Sequence, residues 1–253
     1  MEITFLGTGT SQGIPIIGSD HPVCLSDDLK DKRLRASVLI EWEDLTLLID
    51  CGPDVRQQLL RSNCEHIDAI LFTHEHSDHT AGIDDLRPFY YRQGNIPVYA
   101  EQRVLDALKT RFDYIFKIEN KYPGVLSFDV HRIDNIPFFI KKKQIIPIQV
   151  FHHKLSVFGF RIADFAYITD AKTIPDPEID KLKGLQVMVV NALRHEPHQS
   201  HFNLEEALAF IDRVKPKKAY LTHISHLLGF HDKVQKILPK NIFLAYDELK
   251  LNL

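Results

Sequence analysis

At 253 residues, 44% hydrophobic and 26% charged, the chain is long enough to bury a full-sized core and short enough for one domain spanning 1–253. Its net charge of -3 excludes a surface built throughout to attract polyanions, so any phosphate recognition has to be local. Three cysteines, Cys24, Cys51 and Cys64, at irregular spacing exclude a disulfide framework; with no secretion-like start and no apolar run of spanning length, the expectation is a cytoplasmic protein without a membrane partner.

Short apolar or alternating runs predict strands at 3–6, 37–41, 45–49, 69–72, 97–100, 145–151, 158–162, 165–168, 187–191 and 218–221. Helical spacing predicts helices at 54–62, 102–116, 204–214 and 232–238, the third opened by Asn203 as a capping residue. Strands outnumber helices, so the class is mixed α/β (α+β), with two sheets face to face and helices outside. Near the start, Gly7, Gly9 and Gly13 followed by Pro15 do not make a dinucleotide-binding loop, because the third glycine is one residue late and proline stands where a helix should be under way. They read as a turn-rich loop close to backbone. The run Lys141-Lys142-Lys143 reads as a solvated turn. Of Phe89, Tyr90 and Tyr91, beside Arg92, at least two belong in the core, and the remainder can line a pocket.

Histidine is the outlying residue type: 14 against two methionines and one tryptophan, many of them bunched. His74-Glu75-His76-Ser77-Asp78-His79 follows the predicted strand 69–72 directly, which puts the run on a loop at a strand's carboxyl end. Packing gives no reason for three histidines and an aspartate in six residues. Two imidazoles two residues apart can face one cation, and Asp78 with His79 a neighbouring one, in keeping with the nitrogen and oxygen donors that zinc-like ions prefer. This is not the helical H-E-x-x-H of metalloproteases.

The run resembles the signature of the metallo-β-lactamase superfamily. That resemblance implies an αββα sandwich of two packed mixed sheets. It extends to the strand ending Leu48-Ile49-Asp50, where Asp50 would orient ligands from behind the metal loop, to Phe151-His152-His153, to Ile168-Thr169-Asp170 and to Leu221-Thr222-His223. What it implies is a binuclear site for two divalent ions, zinc or manganese: His74, His76 and His152 on one, Asp78, His79 and His223 on the other, and Asp170 between them. His153 competes with His152. The opening Phe5-Leu6-Gly7-Thr8-Gly9-Thr10 is similar to a subgroup that includes phosphoribosyl 1,2-cyclic phosphate phosphodiesterase. Members commonly carry a cysteine-rich stretch holding a third, structural zinc. Here Ser19 and His21 stand at the first two cysteine positions and Cys24 at the last, with His226 as the late histidine; His21, Cys24 and His226 are three donors where structural zinc usually has four.

A further cluster, His195, His198 and His201, precedes the helix opening at Asn203, and helix amino termini favour anions. The resemblance implies that one of these faces the metals as acid or phosphate contact: His201 first, His198 second. The expected activity is metal-dependent hydrolysis of a small or cyclic phosphate ester, with Asp78 and His201 at the reacting centre. A transfer-RNA-processing type of endonuclease is the second reading, disfavoured by the charge and by the absence of an obvious long arm between 102 and 143. Thioester or lactone hydrolysis is the third. A non-enzymatic metal-stabilised module would require a lost ligand, and all seven positions hold donor residues. A homodimer is the expected assembly.

Overall fold

The computed structural model describes residues 1–117, 119 and 121–253. In chain order its strands are β1 (Glu2–Gly7), β2 (Ser37–Trp42), β3 (Leu45–Ile49), β4 (Ala69–Leu71), β5 (Ile96–Ala100), β6 (Phe128–Arg132), β7 (Phe138–Ile140), β8 (Lys143–His152), β9 (Leu155–Ile162), β10 (Phe165–Ile168), β11 (Val187–Asn191), β12 (Lys218–Thr222), β13 (Ile242–Leu244) and β14 (Lys250–Asn252). They form two seven-stranded mixed sheets, β14-β1-β2-β3-β4-β5-β6 and β13-β12-β11-β10-β9-β8-β7. The helices are α1 (Val55–Ser62), α2 (Ser77–Thr80), α3 (Arg87–Gln93), α4 (Gln102–Arg111), α5 (Asp113–Phe116), α6 (Asp176–Asp180), α7 (Leu204–Val214) and α8 (His231–Ile237).

Three apolar layers make the architecture αββα. Between the sheets, Ile3, Phe5, Val38, Ile40, Leu47 and Ile49 of the first meet Phe158, Phe160, Phe165, Tyr167, Val189 and Tyr220 of the second. The alternate residues of the same strands point outward. Leu39, Leu48 and Ile70 pack under α1, α3 and α4 through Val55, Leu59, Phe89, Val104 and Leu108, while Ala166, Ile168, Met188, Val190 and Leu221 pack under α6, α7 and α8 through Ile179, Ala207, Phe210, Ile211 and Val234. A strand covered on both faces reads as an unbroken apolar run, which is why Leu47–Ile49 and Val187–Val190 are conspicuous in the sequence. No helix among the described residues is long and apolar enough to cross a membrane.

The structure departs from the expected elements at the sheet margins. The strands β6, β7, β13 and β14 are short and lie at or near sheet edges, and β6 exposes most of Asp129, Val130, His131 and Arg132, so no apolar pattern announces them. The helix expected over 102–116 breaks at Phe112, whose φ of -122° and ψ of 43° are not helical. Across 102–143, where positions 118 and 120 lie outside the described residues, Val104, Ile115 and Phe128 pack on the outer layer and Phe138 and Ile140 on the inner one. The lysine run forms the turn expected of it, with its third residue already in β8. Ile140 pairs with Lys143, so Lys141 and Lys142 are the two turn residues, at φ 43° and 66°, as a tight type I′ hairpin requires. Lys141 and Lys142 are both exposed, with Lys141 Nζ 2.6 Å from Asp68 Oδ1, while Lys143 pairs with Glu43 and lies 4.4 Å from the centre of the Trp42 ring.

The amino end of α7 is closed by its own chain. Asn203 Oδ1 accepts from Glu206 N and Glu206 Oε2 from Asn203 N, both at 2.9 Å, a capping box. With Glu205 and Glu206 in its first turn, this terminus does not offer the anion seat expected of it. Asn203→Ala is expected to cost about 1 kcal/mol of stability, read as a lower midpoint in urea denaturation.

Candidate metal centre

The donors gather where strands end. Asp50 follows β3, Thr73 and His74 follow β4, His152 closes β8, Asp170 follows β10 and His223 follows β12, while Asp78 and His79 sit on the single turn α2. β3 and β4 run parallel, as do β10, β11 and β12, so their carboxyl ends open on one edge of the sandwich. Asp50, Asp170 and His223 have φ of 61°, 56° and 53°. That left-handed turn costs on the order of 1 kcal/mol at a non-glycine residue, and it swings each side chain out of the strand repeat. Close backbone contact fixes the metal loop as well: a Cβ on Gly52 would meet Asp78 O at 2.0 Å.

At His74 and His79 the outer ring nitrogens are held and the inner ones are left free. Asp50 Oδ1 accepts from Thr73 N at 2.9 Å, and its Oδ2 accepts from Thr73 Oγ1 at 2.8 Å and lies 2.7 Å from His79 Nδ1. His74 Nδ1 lies 3.0 Å from Thr73 Oγ1. The opposite nitrogens, His74 Nε2 and His79 Nε2, are buried with no hydrogen-bond partner, as are His152 Nδ1 and both ring nitrogens of His223. Buried polar atoms without partners are costly, and a ring bonded on one nitrogen and bare on the other is the arrangement of a metal-bound histidine.

Three sets of donor atoms lie within 4.8 Å of one another among the described residues: His74 with His79 and Asp170, Asp78 with His79 and His223, and His152 with Asp170 and His201. Asp170 joins the sets. Its Oδ2 is 3.2 Å from His79 Nε2, and its Oδ1 is 2.9 Å from His201 Nε2, 3.4 Å from His223 Nε2 and 3.9 Å from His152 Nδ1. Asp78 Oδ2 lies 3.2 Å from His79 Nε2 and 3.6 Å from His223 Nε2. His76 stands outside these sets, with its ring centre 4.5 Å from that of His74 and 5.2 Å from that of His152.

The electrostatics ask for positive charge. Burial pushes the His74 imidazole well below its ordinary pKa and brings His152 down to about 4, so both keep a lone pair to offer. Burial alone would do the same to His79, but Asp78, Asp170 and Asp50 hold it well above its ordinary value. Burial would raise Asp170, yet the His223 and His79 rings draw it well below the carboxylate range. Three carboxylates drawing a proton onto a buried imidazole would be satisfied equally by a divalent cation that displaces it. The donor set therefore fits two such cations.

The residue pair left open by the sequence is separated here: His153 is an exposed turn residue at φ 58°, whereas His152 faces the cluster. His201 is buried against the cluster, and His198 stands behind it, Nδ1 to Nδ1 at 3.1 Å, with Ser200 Oγ within 3.3 Å of both. The amino-terminal loop lies beside the site, since Ile224 N donates to Thr8 O and Thr10 N to Ile224 O, next to His223. The three donors that the resemblance offers for a further zinc lie near one another but are not gathered. His21 and His226 meet edge to face at 4.7 Å, but His21, Cys24 and His226 do not form a donor set; Cys24 Sγ instead accepts from Ile16 N at 3.5 Å and joins a small apolar cluster with Ile14 and Val23. Phe89 and Tyr90 pack in the outer helical layer and Tyr91 hydrogen-bonds Gly124 O, away from the donors. Supporting residues that the sequence reading missed are Thr73, Thr169, whose Oγ1 donates to Asp170 Oδ2 at 2.6 Å, and Asn191, which bonds both backbone groups of Ala171. A polar residue closing an apolar run was the available signal for each.

Residues 46–224 match the family model of the Beta-lactamase superfamily domain. A crystal structure described as a new diphosphatase from the PhnP family is similar at 38% identity with a TM-score of 0.93, over 100% of this chain and 97% of that one. The octanoyltransferase of Porphyromonas gingivalis is 38% identical over 253 residues, 99% of this chain and 51% of that protein. Ribonuclease Z of a Nostoc species is 28% identical over 177 residues, 65% of this chain and 47% of that protein. The chain thus spans about half the length of these curated relatives.

Proposed function

The chain belongs to the metallo-β-lactamase superfamily of metal-dependent hydrolases, and on that premise we propose that it cleaves a small phosphodiester, cyclic phosphate or diphosphate with the aid of two divalent cations, zinc or manganese. The observation that carries this reading is the convergence of unpartnered inner nitrogens on Asp170. Likeness along both full lengths to the PhnP-family diphosphatase supports phosphorus rather than carbon as the centre attacked.

His74, His76 and His152 would hold one cation, Asp78, His79 and His223 the other, with Asp170 shared. When bound, such a pair supplies Lewis acidity, making water acidic near neutral pH and neutralising phosphoryl oxygens. The protein's own part is orientation and proton handling. Asp50 fixes the His79 ring through Nδ1 and the Thr73 backbone beside His74. His201, tethered at Nδ1 by His198 and Ser200, presents Nε2 to the cluster, from where it gives a proton to the departing ester oxygen as water adds to phosphorus and the P–O bond breaks.

A second reading, hydrolysis of an acyl thioester, draws on the likeness to half of the Porphyromonas gingivalis octanoyltransferase; activated water attacks an acyl carbon by the same means. Stripping the protein with chelator, restoring zinc or manganese, and assaying bis(p-nitrophenyl) phosphate, a ribose cyclic phosphate, a dinucleoside diphosphate and an octanoyl thioester in parallel separates the two. We expect metal-restored turnover with at least about a tenfold preference in kcat/KM for a phosphorus substrate. Preference for the thioester would transfer the assignment to the second reading, and no metal-restored turnover on any of the four would refute both.

A further inference from the structure

Glu75 sits between two of the expected ligands, His74 and His76, yet its carboxylate turns away from the donor cluster. It pairs with Arg103, the second residue of α4. The other end of the same guanidinium, Nη2, donates to Ser156 O at 2.6 Å and reaches Glu101 Oε2 at 3.3 Å. Ser156 lies on β9 directly opposite Phe151, and the next pair along is Leu155 with His152. One planar side chain therefore joins the loop that carries His74 and His76, on the first sheet, to the hairpin that carries His152, on the second. Arg111, at the other end of α4, donates to Glu75 O and lies 3.3 Å from Thr80 Oγ1, and Thr80 Oγ1 donates in turn to His76 O at 2.9 Å. Helix α4 thus grips the metal loop at two points.

We propose that Arg103 is a positioning residue that sets the spacing between His74/His76 and His152, and so governs one of the two cation positions and not the other. This rests on the ligand assignment proposed above. Asp78, His79 and His223 owe their placement to Asp50, α2 and β12, none of which touches Arg103 through a hydrogen bond among the described residues. The two-ended geometry matters more than the charge: a guanidinium offers donors in a rigid fork, whereas an ammonium is a point donor. Arg103 is 34% exposed, so screening discounts the ion pair as a source of stability, and its effect is expected in geometry.

The test is a metal titration of apo-protein by calorimetry, with metal content after gel filtration, for wild type, Arg103→Met, Arg103→Lys and His152→Ala. Wild type is expected to take two cations and His152→Ala to lose one. Arg103→Met is expected to weaken one binding step about 10- to 100-fold, the range for groups that orient metal ligands, with the other step unchanged and the apo melting temperature near that of wild type. Arg103→Lys restores part of the loss. Two wild-type binding steps in Arg103→Met, or equal weakening of both, would overturn the proposal while leaving the ligand assignment standing. A wild type that takes no cation, or a His152→Ala variant that still takes two, would instead overturn the assignment.

Discussion

Asp170→Asn is expected to lose at least one cation and to lower kcat/KM about a thousandfold, because the two oxygens of Asp170 lie among the nitrogens of His74, His79, His152, His201 and His223. Its Oδ2 lies 3.2 Å from His79 Nε2 and its Oδ1 within 3.4 Å of both His201 and His223. Asparagine keeps the size and tolerates the φ of 56° nearly as well as aspartate does, so the backbone turn should survive. What changes is chemistry: one anionic oxygen becomes an amide NH2, which cannot ligate and directs hydrogens at the same spot. Several kcal/mol of charge stabilisation by a cation pair, at 1.36 kcal/mol per tenfold, gives the size of the expected loss. Metal content by mass spectrometry and steady-state kinetics on the substrate preferred in the parallel assay would check it. Two retained cations with wild-type turnover would remove Asp170 from the centre.

The parts of this arrangement that could be read in the sequence share a physical reason. His74 to His79 stood out because no packing demand puts three imidazoles and a carboxylate in six residues. The inner strands stood out because burial on both faces leaves an unbroken apolar run, as in Val187–Val190, and the structure stacks them as the expected αββα layers. Strand ends at Asp50, Asp170 and His223 were placed by resemblance, and the backbone shows what sequence could not: each turns left-handed as it leaves its strand.

Elements at the margins were not legible because their stability comes from a neighbour. β6 is a strand by virtue of pairing with β5, its own residues being mostly exposed and polar. Arg103 reads as an ordinary helical arginine until Glu75 and Ser156, 28 and 53 residues away, are seen at its two ends. At His21, Cys24 and His226 the resemblance already supplies only three of the usual four donors. Spacing carried over from a family pattern says where ligands would stand if the local chain kept its shape, but Cys24 Sγ is already engaged by Ile16 N and sits in an apolar cluster, which suits a small buried thiol better than an exposed ligand. At α7, the Asn203 cap was legible but the reciprocal bond from Asn203 N to Glu206 that completes the closure was not.

His201→Ala is expected to cut turnover by about two to three orders of magnitude, the range for loss of a positioned general acid, with both cations retained. Two observations define what is at stake. His201 Nε2 is 2.9 Å from Asp170 Oδ1 and belongs to a donor set with His152, which is what a ligand would show. Its Nδ1, however, is tied to His198 Nδ1 and Ser200 Oγ at 3.1 and 3.2 Å, and two facing ring nitrogens at that distance share one hydrogen. With His198 as donor, His201 keeps its own proton on Nε2, directed at the cluster, where a departing oxygen can take it. As that proton leaves, Nδ1 takes up the hydrogen it shares with a protonated His198, so His201 ends as a neutral imidazole and not as an imidazolate. The leaving group discriminates between the roles. p-Nitrophenolate departs without protonation, so an acid's removal should matter much less for bis(p-nitrophenyl) phosphate than for a ribosyl or alkyl ester, whereas loss of a ligand would depress both alike and lower the metal content. Equal losses on the two substrates together with a missing cation would make His201 a ligand, and His198, half-buried behind it, would then be no part of a proton path.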